Sequence, residues 1–237
     1  MLTSPVTAAT ELSPNDRDEL ARAWARDALM EHASVASFAR FTLELLACGA
    51  PPELVAASQQ AGADEVAHAR SCFALAARFA EQPIGPGPLE LGDRGLTGDL
   101  GEMAALAVVE GCVGETLAAA MAEAQLTVAI DPECRRTLAR IASDEAEHSL
   151  LAWRFVRYAM TRGGGAVARA VGVTFRKALE SKPAPTTAPA TAASSWNHFG
   201  RLTLEQEREV VHRTWVEVIM PAARTLLAGH AEAVDAC

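Results

Sequence analysis

The sequence predicts an all-α protein, a four-helix bundle made of two helical hairpins with a long crossover, plus C-terminal helices. Three observations carry that expectation. Half of the 237 residues are apolar, but only 5% are aromatic and Tyr158 is the single tyrosine, so the residues that favour strands are scarce. Apolar residues recur at steps of three and four through long Ala-rich runs free of proline. Within two of these runs the pattern Asp-Glu-x-x-His appears, as Asp64-Glu65-Val66-Ala67-His68 and as Asp144-Glu145-Ala146-Glu147-His148.

Each element has its own signals. Residues 1–12 read as a tail. Ser13-Pro14 supplies a cap and a first-turn proline. The first helix then carries Trp24, Ala28, Val35, Phe38 and Leu45 on one stripe and stops near Cys48-Gly49-Ala50-Pro51. The second runs from Pro52 to about Gln82, where Pro83 ends it. Residues 83–99, rich in Gly and Pro, are the crossover. The third begins near Asp99 with the stripe Met103, Leu106, Glu110, Val113, Leu117 and Met121. Asp131-Pro132 opens a fourth, expected to end before Gly163-Gly164-Gly165. A short fifth helix is expected at about 166–180, then a Pro/Ala-rich linker over 181–195. Thr203-Leu204-Glu205-Gln206 is a capping box for a last helix, which Pro221 should kink. The expected division is a bundle over 1–162 and a helical extension over 163–237.

Composition narrows the function classes. The net charge is −9 with no basic stripe, which argues against nucleic acid. The five cysteines are scattered, odd in number and without zinc-like spacing, as in a reducing compartment. The N-terminus lacks the charged and apolar regions of a signal peptide, and no apolar run approaches the ~20 residues that cross a bilayer. A cytoplasmic location, away from membranes, is the expectation.

The chemistry lies in the repeated pentads. Residues three apart on a helix share a face, so a carboxylate and an imidazole can reach one ion. In residues 14–82, Glu31 precedes Glu65 by 34 positions; in residues 99–161, Glu110 precedes Glu145 by 35. Both Glu31 and Glu110 lie on apolar stripes, where an unpartnered carboxylate is costly. Two hairpins docked face to face would bring Glu31, Glu65, His68, Glu110, Glu145 and His148 to one level. Four carboxylates balance two divalent ions, and oxygen donors with a minority of imidazole suit Fe(II) or Mn(II). Glu115, about 140° around the helix from Glu110, is the rival; the repeat register assigns Glu110 as ligand and leaves Glu115 outside the inner set. Asp64 and Asp144 are placed to hold a ligating histidine on the partner helix. Val35, Phe38, Val113 and Leu117, one or two turns away, would form an apolar wall for a substrate.

At these residues the chain resembles the ferritin-like superfamily of di-iron proteins, which includes bacterioferritin, rubrerythrin and several di-iron hydroxylases. The resemblance covers about residues 14–161. It implies a ferritin-like bundle holding two iron ions (Fe/Fe, or Mn/Fe) at the six residues named above. The chain departs from its relatives in three respects. Phe38 stands near where ferritins place a tyrosine, about 75 residues follow the bundle, and there are no paired cysteines for a rubredoxin-like module. The activity this implies is that of a non-haem di-iron oxidoreductase, a monooxygenase or oxidase. It would use O₂ to hydroxylate or oxidise a small apolar organic substrate, with an external electron donor, since no flavin or nicotinamide motif is present. The alternative is a ferroxidase, iron-handling or peroxide-consuming protein without an organic substrate. A homodimer is one assembly open to it.

Overall fold

The computed structural model describes residues 12–92, 95–181 and 194–228. Among them every regular element is helical. Helix α1 spans Pro14–Ala47, capped by the Ser13 hydroxyl, which accepts from the Asp16 amide at 3.1 Å. A tight turn through Gly49 (φ 66°) leads to α2, Pro52–Ala80, which lies along α1. The described residues of the crossover have no regular structure. The Thr97 amide donates to the buried Glu44 carboxylate at 3.4 Å, tying the crossover to α1. Helix α3, Leu100–Ala107, starts at the Asp99 cap and continues into a π-helical segment, Val108–Glu115, and then α4, Thr116–Val128. By length and composition alone this 29-residue rod could cross a membrane; in the structure it packs on α5 and carries Glu110 and Glu115.

Helix α5, Pro132–Ser181, differs from the expected stop at the glycine triplet. Only Gly164 leaves helical geometry (φ 61°, ψ −151°), and the chain resumes its helix at once. The two expected helices are one kinked rod, because a single residue with positive φ, open to glycine at no steric cost, absorbs the whole break. Most of the expected linker, 182–193, lies outside the described residues, as does the tail 1–11. A 3-10 turn, Ser194–Phe199, precedes α6, Leu204–Thr214, which has the full capping box of Thr203 and Gln206. The bend expected at Pro221 is a π turn, Trp215–Ile219, in which the Met220 amide donates to the Trp215 carbonyl. Proline has no N–H, so the helix re-pairs one residue later before α7, Met220–Leu227.

The core comes in two clusters. One contains Leu20, Trp24, Ala28, Cys72, Phe79, Ala122, Leu138 and Ile141. The other contains Phe38, Leu45, Leu54, Met103, Val108, Leu151 and Phe155. Along α1 the first cluster comes first, and along α2 the order reverses. It reverses likewise between the α3–α4 rod and α5. The members of each pair are therefore antiparallel, and all four rods pass through the same gap between the two clusters. Glu31, Glu65, His68, Glu115, Glu145 and His148 occupy that gap. C-terminal residues seal both ends: Trp196 and Phe199 join the first cluster, and Trp215, Ile219 and Leu227 the second.

Candidate metal centre

Two overlapping sets of donor atoms occupy this polar layer. Glu31, Glu65, His68 and Glu145 form one, and Glu65, Glu115, Glu145 and His148 the other. Within each set the donor atoms all lie within 4.8 Å of one another. Glu65 and Glu145 belong to both, as carboxylates bridging two ions would. The histidines meet the sets through Nδ1. His68 Nδ1 is 3.4 Å from Glu31 and 3.3 Å from Glu145; His148 Nδ1 is 3.3 Å from Glu65 and 3.6 Å from Glu145.

Glu110 is the one expected ligand that the structure places elsewhere. It is 45% exposed at its side chain and pairs with Arg40 at 3.2 Å, outside both sets; Glu115 takes the inner place instead. The cause is local. The buried residues Met103 and Ala104 are followed by the pair Ala107 and Val108, and the next buried pair is Cys112 and Val113, five residues on. The π segment adds one residue to that turn, which rotates everything after it by about 100° relative to an unbroken α-helix. A 3.6-residue period carried through the segment therefore selects the wrong glutamate. The available signal was a pair of glycines, Gly111 and Gly114, inside a helix where they weaken α geometry. A Cβ at Gly114 would meet the Val109 carbonyl at 3.3 Å, and one at Gly111 would meet Ala152 Cβ at 2.3 Å. The tight approach of this segment to α5 thus requires glycine at 111.

The neighbouring residues fall as follows. Asp144 Oδ2 accepts from His68 Nε2 at 2.9 Å, across from α5 to α2, and so sets the tautomer that leaves Nδ1 facing the donor set. Asp64 faces His148 Nε2 at 3.6 Å, too long for a hydrogen bond. Arg140 approaches both aspartates, at 3.3 Å from Asp144 and 4.0 Å from Asp64. Phe38 meets the His148 ring edge-on at 5.1 Å. Glu147, His198 and His212 are exposed and outside the cluster.

A cleft of about 420 Å³, with the open solvent at its mouth included, reaches the cluster from one side. Ser37, Phe38, Phe41, Ala107, Glu110, Gly111, Leu151 and Ala152 line it, with Glu115 and His148 at its inner end. Of the four residues expected to form an apolar wall, Phe38 alone lines this cleft. Val113 is buried in the core, and Val35 and Leu117 are half-buried away from it. The rotation in the π segment explains the change for Val113 and Leu117, because it turns them away from the cleft, which Ala107 and Gly111 line.

The electrostatics are those of charges crowded without counter-ions. Burial raises the Glu31 carboxyl to about 8, with Glu65 and Glu145 adding to the rise against the opposing attraction of His68. Burial, then Glu145, pushes Glu115 well above the usual carboxylate range. Burial opposes charge on His68, but Glu145, Glu31 and Asp144 outweigh it and bring the imidazole to about 11. His148 likewise rises against burial to about 10, through Glu145 and Glu65. Glu145 is held below the ordinary range, since His148 and His68 overcome the cost of burial. Buried polar atoms are still left over: Glu65 Oε2, Glu145 Oε2, both Nδ1 atoms and His148 Nε2 have no hydrogen-bond partner. Such atoms are rare in folded proteins and need a reason. The donor set fits a pair of divalent cations, four carboxylates and two imidazoles with no thiolate.

Comparison with known protein families, with curated proteins and with solved structures returns no match at a significant level.

Proposed function

We propose that the chain is a ferritin-like four-helix bundle whose polar layer holds two metal ions, iron in both places or manganese with iron, and that it is a non-haem di-iron oxidoreductase. The observation that carries this reading is the pair of overlapping donor sets in which Glu65, His68, Glu145 and His148 each leave a buried polar atom without a hydrogen-bond partner. Glu65 and Glu145 would hold both ions. Glu31 and His68 would complete one side, and Glu115 and His148 the other. Bound there, the metal pair would supply the electrons taken up by dioxygen, with an external donor restoring them.

The remaining groups do the work of a scaffold. Asp144 holds the His68 ring through Nε2, keeping Nδ1 inward. Phe38, Phe41, Leu151 and Ala152 give the cleft an apolar wall that excludes water and favours a small apolar substrate. The cleft ends at Glu115 and His148 and does not include Glu31 or His68, so a substrate would approach one side of the pair. A protein that only oxidised and passed on iron would have no use for an apolar cleft at this place, and this favours the organic-substrate reading over iron handling.

The test is an anaerobic Fe(II) titration of the metal-free protein, followed by dioxygen with optical monitoring. Saturation near two irons per chain and a ferric chromophore without further uptake would support the reading. Continued oxidation of many irons per chain would assign iron handling instead. Absence of Fe(II) binding would sink both.

A further inference from the structure

A second, shallow cleft, of about 330 Å³ with the open solvent at its mouth included, lies on the other side of the Gly164 kink from the donor layer. The last turns of α5 supply Phe175, Arg176 and Leu179; the π turn and α7 supply Trp215, Ile219, Met220, Ala223 and Arg224. Phe175, Trp215, Ile219 and Ala223 are all at most 4% exposed and make an apolar floor. Arg176 is half-buried and Arg224 exposed. Neither has a hydrogen bond or ion pair among the described residues, in a chain where acids exceed bases by nine. The indole of Trp215, which lines the same cleft, has its Nε1 buried without a partner.

We propose that this cleft binds an organic anion, a carboxylate on a short apolar body, with the apolar part on the Trp215–Ile219 floor and the carboxylate between Arg176 and Arg224. Guanidinium groups suit carboxylates because their paired N–H donors match the two oxygens. An apolar floor alone would take any oily molecule, and two surface arginines alone would take any anion. The combination selects molecules with both features. This site shares no residue with the donor layer, so it stands or falls independently of the metal reading.

The experiment is calorimetric titration of the full chain with decanoate, decyltrimethylammonium and inorganic phosphate. Decanoate should bind at one site, at least roughly tenfold more tightly than either control, a ratio that corresponds to a few charge-assisted contacts at a partly exposed rim. The double variant R176Q/R224Q keeps both side-chain stems and should lose roughly that tenfold. R224E, at an exposed position that does not endanger the fold, should weaken decanoate and improve decyltrimethylammonium. Equal binding of the two decyl compounds, unchanged decanoate affinity in the double variant, or phosphate binding as tight as decanoate would each overturn the proposal.

Discussion

The two hairpins each carry the pattern Asp-Glu-x-x-His and deliver it differently. In the first, α1 and α2 run as unbroken α-helices, and Glu31, Glu65 and His68 reach the polar layer where a 3.6-residue period puts them. In the second, the α3–α4 rod is interrupted by eight π-helical residues, and the glutamate facing the layer is Glu115 rather than the one matching the repeat spacing. The second hairpin gains the cleft from the same irregularity: Gly111 lets the segment close on Ala152, and Glu110, turned outward, lines the cleft and pairs with Arg40. π segments concentrate at functional places for this reason, since one extra residue re-aims a side chain without ending the helix.

The comparison can be broken most forcefully at the shared carboxylates. Glu65→Ala or Glu145→Ala should abolish metal binding altogether, measured as bound iron per chain, because each serves both donor sets. Retention of two ions in either variant would refute the bridging geometry. Next comes the choice within the irregular helix. Glu115→Ala should lower the stoichiometry to one ion or fewer, whereas Glu110→Ala should leave it near two; the reverse pattern would restore the simple repeat register. The histidine partners differ more subtly. Asp144→Asn should weaken metal affinity by roughly ten- to a hundredfold, the usual effect of losing an orienting carboxylate. Asp64→Asn should do less, since Asp64 stands 3.6 Å from its histidine against 2.9 Å for Asp144.

Two glycines extend the contrast to stability. Gly111→Ala drives a Cβ to 2.3 Å from Ala152 and should cost about 1–3 kcal/mol. Gly62→Ala in the regular α2 meets only Phe38 Cβ at 3.5 Å and should stabilise by up to about 1 kcal/mol. Thermal denaturation separates them, and a stable Gly111→Ala would mean the π segment is not held against α5. A smaller effect concerns pH. Asp131 caps α5, accepting from the Glu133 and Cys134 amides at 3.0 Å and pairing with Arg78 at 2.6 Å. Burial would raise its carboxyl, but Arg78 and the Cys134 amide outweigh that and hold it at about 2, below the ordinary 3.8. A carboxyl lowered on folding stabilises fully above its unfolded value. Roughly 2 kcal/mol should therefore be present above pH ~4 and lost as pH falls toward 2. Asp131→Asn should flatten that part of the stability profile; an unchanged acid limb would show the pair contributes nothing.

The amino-acid sequence by itself determined the helical class, the helix starts at Ser13, Asp99, Asp131 and Thr203, and the gathering of two Glu-x-x-His pairs at one level. These follow from caps, periodicity and a repeat, all of which act over a few residues and so can be read locally. Tertiary structure decided the rest. The choice of Glu115 over Glu110 depends on a π segment packed so closely on another helix that a Cβ at Gly111 would meet Ala152 at 2.3 Å. The continuity of α5 depends on one glycine of three taking positive φ while the chain beyond it packs. The cleft residues followed from the same rotation. In each case the deciding contact joins residues distant along the chain, and a period extrapolated within one helix carries no information about it.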